Sequence, residues 1–403
     1  MTKGEKGFIY SCLLVTLISE MLLSPFYPQL FSDYFQMDGV QATSLFIVCC
    51  RLVVIVLTPV WAVLAQRWDL KKIVPSALII MGICKAVLPM VDTFSQFLMT
   101  SLVLLVFQSS IYLLYPVLVA TSKNEGEKVK VTTFYLCLFH GSVIISGLAG
   151  SYAIAQEMPL NSYYMFAGAD LILALLSFFM FSKNNAISRA TEFRKKGESF
   201  KRTKMSGEFL LYLLIVFLFF IGHHAIRPYF TVFLENSYSI TTQVSSLLYV
   251  MPSMTAVVLQ LLLPKRYFHS HIKIILLGVM AVTGCLLFIQ VLTQHIWLFS
   301  FIRLLYGACF FIGLAAIDIF FFQTSIGKRS PLSYSLVSSV QNIALLFAPM
   351  TALMMVERTG FQGPFLLGGL LLIGAAVCMS LYFITIFKPS YQLKKEVDHH
   401  ENL

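Results

Sequence analysis

The chain has 403 residues, of which 58% are hydrophobic and 12% charged. A soluble domain carries about a quarter charged residues, and no globule of this length could bury such an apolar excess, so lipid must solvate most of it and a water-soluble enzyme is excluded. The formal net charge of +10 does not point to nucleic acid, because the basic residues sit in short stretches between apolar runs and form no continuous face.

Taken in order, the apolar runs number twelve: 8–31, 41–64, 73–91, 97–119, 134–155, 163–182, 208–234, 242–262, 272–292, 296–322, 332–356 and 364–387. Each has about the 20 residues that cross a hydrocarbon core. Each is predicted to be helical, because in lipid every backbone polar group must be satisfied within its own segment. The expected fold class is therefore an all-α integral membrane protein. The first run is too long for a removable signal peptide and lacks a small-residue cleavage site. All eight cysteines fall inside these runs at spacings that fit neither zinc nor a disulfide framework, so packing is expected even of Cys49 and Cys50.

Between the sixth and seventh runs lies a polar stretch, 183–207, with eight Lys or Arg residues opposed only by Glu192 and Glu198. It divides the chain into an N-terminal unit 1–182, a basic linker 183–207, a C-terminal unit 208–387 and a tail 388–403, whose His399 and His400 are too few for a metal site. Of the 29 Lys and Arg residues, 24 fall on the segments of one side, counting Lys273 at that edge of the ninth run, four lie deeper within runs, and Arg358 alone falls on the other side. That asymmetry predicts cytoplasmic termini and a cytoplasmic linker, in a plasma membrane. The lack of any Asn-x-Ser/Thr sequon fits a bacterial inner membrane. The linker's charges are expected to hold orientation and to attract anionic headgroups of the membrane lipid.

The two units resemble one another. Pro25-Phe26-Tyr27 recurs as Pro228-Tyr229-Phe230, Ser32 to Phe35 has its counterpart in Glu235 to Tyr238, and Arg67-Trp68 and Lys72 recur as Arg266-Tyr267 and Lys273. Similar offsets at equivalent points of the topology predict a duplicated six-helix unit.

After the second run the chain reads Ala62-Val-Leu-Ala-Gln66-Arg67-Trp-Asp69-Leu-Lys71-Lys72. Arg303-Leu-Leu-Tyr-Gly307 stands in the tenth run, and Gly147-x-x-Gly150 in the fifth. With these motifs and the six-linker-six layout, 8–387 resembles the major facilitator superfamily. The first motif is similar to that family's Gly-x-Leu-Ala-Asp-Arg-x-Gly loop, with Gln66 in place of the acid and Ala62 and Asp69 in place of the glycines. The resemblance implies two pseudo-symmetric six-helix bundles working as a secondary transporter by alternating access, with a gating role for Arg67, Lys71 and Lys72. The expected unit is a monomer with no cofactor and no metal.

An ionised side chain in mid-membrane costs at least about 2.5–3.5 kcal/mol, so each such residue needs a partner, water or a function. The runs contain Arg51, Lys85, Arg227, Arg303, Glu20, Asp170, Asp318, His140, His223 and His224. In the seventh run His223 and Arg227, four apart, are predicted to share a face, with His224 turned about 100° away. Pro228 interrupts this helix near mid-membrane, and Ser24-Pro25-Phe-Tyr27-Pro28 interrupts the first, with Glu20 one turn earlier. Paired interrupted helices mark a transporter's central site. The expectation is that Arg227, Arg51 and Arg303 grip the solute and that Glu20, His223 or His224 handles a coupling proton; the alternative is that the prolines only shape the helices and the charges pair internally. Asp170 is expected to pair internally and Asp318 to pair with Lys328 or Arg329.

Tyr27, Gln108, Tyr112, Tyr115, Tyr249, Gln260, Gln341 and Asn342 complete a polar lining, with Gln108, Tyr112 and Tyr115 on one face at helical spacing. Four cations against three carboxylates within the runs favour a small anionic solute, polycarboxylate or siderophore-type. Efflux of amphipathic drugs or metabolites is the alternative, suggested by 14% aromatic residues and 17 methionines. A transport-incompetent sensor or assembly partner is the second alternative. No HExxH, phosphate-cradling loop or G-x-S-x-G is present, so no enzyme activity is expected.

Overall fold

The computed structural model describes residues 2–122, 124–181, 206–262, 266–323 and 331–386. Among the described residues, twelve helices are long and apolar enough to span a membrane. In chain order they are α1 (Lys3–Tyr34), α2 (Gly39–Ala65), α3 (Leu70–Met90), α4 (Phe94–Ala120), α5 (Gly126–Ile154), α6 (Pro159–Met180), α7 (Gly207–Tyr238), α8 (Thr242–Leu262), α9 (His271–Leu292), α10 (Ile296–Phe321), α11 (Leu336–Thr359) and α12 (Gly363–Ile384). There is no strand among the described residues. The tail, and the linker apart from Ser206 and Gly207, lie outside the described residues.

The helices begin where the sequence supplies caps, and some therefore extend beyond the apolar runs. Thr2 and Glu5 close a capping box at the start of α1. Asn124 accepts from Glu127 N, so the fifth helix starts at Glu125, over two turns before the apolar run at 134. Asp69, where the family loop has glycine, caps α3 by accepting from Lys71 N at 3.0 Å.

Each half has its own apolar core. One gathers Leu13, Leu23, Phe31, Val74, Met81 and Leu114 from α1 to α4. The other gathers Ile215, Phe219, Phe230, Phe299, Leu372 and Met379 from α7 to α12. Because each half crosses an even number of times, the starts of α1 and α7 and the ends of α6 and α12 share one face, called proximal here; the opposite face is distal.

The interrupted helices are where the sequence places the prolines. In α1 regular helix ends at Met21 and a 3₁₀ turn occupies Ser24–Phe26. In α7 it ends at His224 and a 3₁₀ turn occupies Arg227–Tyr229. A Cβ on Gly150 of α5 would overlap the Leu22 carbonyl, so this glycine is what lets α5 lie against the α1 break. Gly307 of α10 similarly lies against Pro252 of α8.

The two breaks face each other, and the halves are joined most densely on the distal side. Thr231 donates to the Pro25 carbonyl at 2.7 Å, Tyr229 to the Val40 carbonyl at 2.9 Å, and Ser44 to the Pro349 carbonyl at 3.1 Å. Gln29 donates to Thr231 Oγ1 at 3.3 Å and to Glu235 at 3.2 Å. The α5–α8 seam, by contrast, is bonded along its whole length, through Ser246 to the Gly147 carbonyl (2.5 Å), His140 to Ser253 (3.3 Å) and Gln260 to the Thr133 carbonyl (3.3 Å).

Candidate functional site

A cavity of about 390 Å³ lies between the halves, walled by α1, α2, α4 and α5 on one side and by α7, α8 and α11 on the other, with α3 and α6 closing its distal end. Its fixed charges are Glu20, Arg51 and Arg227, one each on α1, α2 and α7.

Glu20 stands one turn before the α1 break. Its Oε2 accepts from Gln108 Nε2 at 2.7 Å and from the Tyr112 hydroxyl, and Gln108 also donates to Tyr112 at 2.8 Å. Arg51, on α2, shares the cavity wall with Glu20. Across the cavity, Arg227 donates through Nε (3.2 Å) and Nη2 (2.9 Å) to the Tyr249 hydroxyl and lies over that ring. This two-point grip fixes the plane of the guanidinium and leaves Nη1 for another acceptor.

Of the residues singled out from the sequence, Glu20, Arg51, Arg227, His224, Tyr27, Gln108, Tyr112 and Tyr249 line this cavity. The others are placed elsewhere. His223 does not share a face with Arg227: its Nδ1 meets the Tyr306 hydroxyl at 2.6 Å and its ring stacks on Phe310, within the C-terminal half. The predicted pairing assumed an unbroken helix. Regular α-helix ends at His224, and Ala225 and Ile226, still right-handed, lead into a 3₁₀ turn with about three residues per turn, which brings Arg227 round to the side of His224.

Arg303 is 3% exposed, packed over Phe230 at 4.0 Å and Tyr306 at 5.0 Å, and is not part of the cavity wall. Its Nε and Nη1 have no hydrogen-bond partner among the described residues, so the aromatic faces are what hold the charge. Tyr115 leaves the face of Gln108 because α4 is interrupted between Ile111 and Leu114. Pro116 clashes with the carbonyl four residues earlier, at Tyr112, and causes the break. Tyr115 instead stacks on Tyr135 of α5 at 4.0 Å, and it is Tyr135 that reaches the cavity. Asn342 is exposed and donates to Ser338 of its own helix at 3.0 Å. The α11 wall is made instead by Leu345, Ala348 and Pro349, with Gln341 outside it.

Asp170 pairs with Lys85, Nζ to Oδ2 at 2.6 Å, with neither side chain exposed. Asp318 is exposed, and its expected partners Lys328 and Arg329 lie outside the described residues. Arg67 and Lys72 are exposed at the proximal face and Lys71 is half-buried there. Among the described residues no group of three or more His, Cys, Asp or Glu could hold a metal ion.

Sequence reasoning passed over Ser24, Ser101, Tyr163 and Phe139, all in the wall. Ser24 carried a signal: it sits 203 positions before Arg227, the same offset that relates Pro25 to Pro228.

The Major Facilitator Superfamily profile matches residues 9–317. The chain belongs to that superfamily. Comparison with curated protein sequences gives no match. Among solved structures, this superfamily member is similar to the human organic anion transporter MFSD10 (TETRAN), at 13% identity over 94% of this chain and 100% of that one, with a TM-score of 0.67. It is also similar to a D-xylose-proton symporter, at 12% identity over 94% of this chain and 97% of that one, with a TM-score of 0.70. At these identities the likeness carries the fold, and the cavity's own chemistry must carry the rest.

Proposed function

We propose that this superfamily member is a proton-coupled secondary transporter that moves a small organic anion by alternating access, with its proximal face and termini in the cytoplasm. The observation that carries the reading is the charge arrangement of the cavity: one arginine from each half, Arg51 and Arg227, and one carboxylate, Glu20, in a single enclosure. An anion held by both guanidiniums bridges the halves, and its binding energy is then available to pull them together. Ionised Glu20 competes with the cargo for Arg51. Protonating Glu20 removes the negative charge that shares the cavity with Arg51 and the anion, so loading the proton and loading the cargo favour one another. The similar solved structures include an organic anion transporter and a D-xylose-proton symporter, which supports the reading without deciding it.

The test is uptake into proteoliposomes loaded with a pH indicator, supplied with mono-, di- and tricarboxylates in turn. The expected result is carboxylate entry accompanied by internal acidification and abolished by a protonophore. Glu20→Gln is expected to keep carboxylate exchange at equal concentrations while losing its response to the pH gradient. If that variant still accumulates cargo against a gradient, Glu20 is not the coupling group.

A further inference from the structure

The charged belt of the cavity does not fill it. Beyond Glu20 and Arg51 the wall continues distally as an apolar recess built by the N-terminal half alone: Tyr27 at the α1 break, Phe46 on α2, Leu88 ending α3, Phe97 on α4 and Tyr163 opening α6. Phe46 packs edge-on to Tyr27 at 4.8 Å and stacks on Phe97 at 5.3 Å. These rings form a fixed aromatic end wall. Phe46 precedes Arg51 by about one and a half helical turns, so at 1.5 Å per residue the recess reaches roughly 8 Å beyond the belt. Tyr27, Glu20 and Arg51 line the same cavity, so belt and recess are adjoining parts of one enclosure.

The charge balance also changes once side chains are placed. The sequence offered four cations within the spans. Lys85 is neutralised by Asp170, and Arg303 is outside the cavity wall. What remains is Arg51 and Arg227 against Glu20, which is neutral in the loaded state of the coupling scheme above. With both guanidiniums on the one carboxylate that bridges the halves, a second or third carboxylate on the cargo would have no further cation to meet and would have to enter the aromatic recess, where an unpaired charge is strongly disfavoured. A ring placed there meets other rings at stacking or edge distances. A cavity of about 390 Å³ is at the small end of the range for solute sites.

We infer that the cargo is an aryl monocarboxylate, seated with its carboxylate on Arg51 and Arg227 and its one or two rings pointing distally into the recess of Tyr27, Phe46, Phe97 and Tyr163. This rests on the anion-carrier reading above and narrows it, replacing the polycarboxylate expected from the sequence. Ser101, on α4 one turn from Phe97 and in the wall, stands beside the ring's path and sets its allowed width.

The experiment is thermal unfolding of the purified full-length protein in detergent with four probes at equal concentration: benzoate, 2-naphthoate, citrate and 2-naphthalenemethanol. Benzoate and 2-naphthoate are expected to raise the unfolding temperature in a saturable way, and citrate and the neutral alcohol to leave it unchanged. A larger shift with citrate than with the aryl acids would overturn the aryl assignment while leaving an anion carrier standing. A larger shift with the alcohol than with either acid would overturn both. Ser101→Trp, which puts an indole into the recess, is expected to abolish the 2-naphthoate shift. A full 2-naphthoate shift in that variant would place the ring elsewhere. Because the four-probe comparison uses the unaltered protein, the inference stays testable even if the variant does not fold.

Discussion

Lys85 and Asp170 show what a charge in this membrane domain requires. Both are fully buried between α3 and α6 and meet at 2.6 Å, yet Asp170 Oδ1 has no hydrogen-bond partner among the described residues. Removing one member strands the other's charge in a medium of low dielectric, at a cost of about 3–5 kcal/mol, whereas exchanging both for apolar residues removes that penalty. Lys85→Met is therefore expected to lower the unfolding temperature markedly. The double variant Lys85→Met/Asp170→Leu is expected to recover most of the loss, as measured by a double-mutant cycle of unfolding in detergent. At this scale the sequence was informative about which residues need an explanation and less so about where they point. The rule that a charge in lipid needs a partner picked out Glu20, Arg51 and Arg227, which share the cavity, and equally Arg303, which does not. Helix α10 is apolar on nearly every side, so no periodicity tells whether Arg303 faces the cavity or the core.

Helices in this protein are shaped by their prolines and glycines more than by their apolar content. The breaks at Pro25 and Pro228 were readable because they recur in both halves. The break that Pro116 makes in α4 has no repeat partner to advertise it, and it moves Tyr115 off the Gln108 face. Steric demands of neighbouring helices were not readable at all. Gly150 and Gly141 both lie in α5, but an added methyl meets the Leu22 carbonyl at the first and open space at the second. Gly141→Ala should stabilise by up to about 1 kcal/mol through helix propensity alone. Gly150→Ala should destabilise by about 1–3 kcal/mol through overpacking against the α1 break. Parallel unfolding curves of the two variants check this, and equal effects would remove the steric role assigned to Gly150.

For the whole molecule, twelve spans and a twofold layout followed from hydropathy and loop charge, because lipid permits few architectures. Which face is sealed could not be read, since it depends on side-chain bonds between distant segments. Tyr229, Thr231 and Ser44 close the distal side by donating hydroxyls to carbonyls of the opposite half. Such neutral bonds contribute about 1 kcal/mol each. Tyr229→Phe with Ser44→Ala should together favour distal opening by about 2 kcal/mol, roughly a thirtyfold change in population. Spin labels replacing Gln41 and Glu357, whose side chains meet across the distal seam at 3.5 Å, should then report a growing population of longer separations. An unchanged distance distribution would mean that other contacts hold the seal.

The seam between α5 and α8, stitched from Gly147 to Thr133, differs from the α2–α11 seam, where the bonds from Ser44 and Gln41 lie at the distal end. Among the described bonds, one outer edge is joined along its length and the other near its distal end, so the halves part more readily at α2 and α11 and open as a book does, about its spine. Most of the travel would then belong to α2 and α11, and the arginine carried by α2 would swing farther than the one carried by α7.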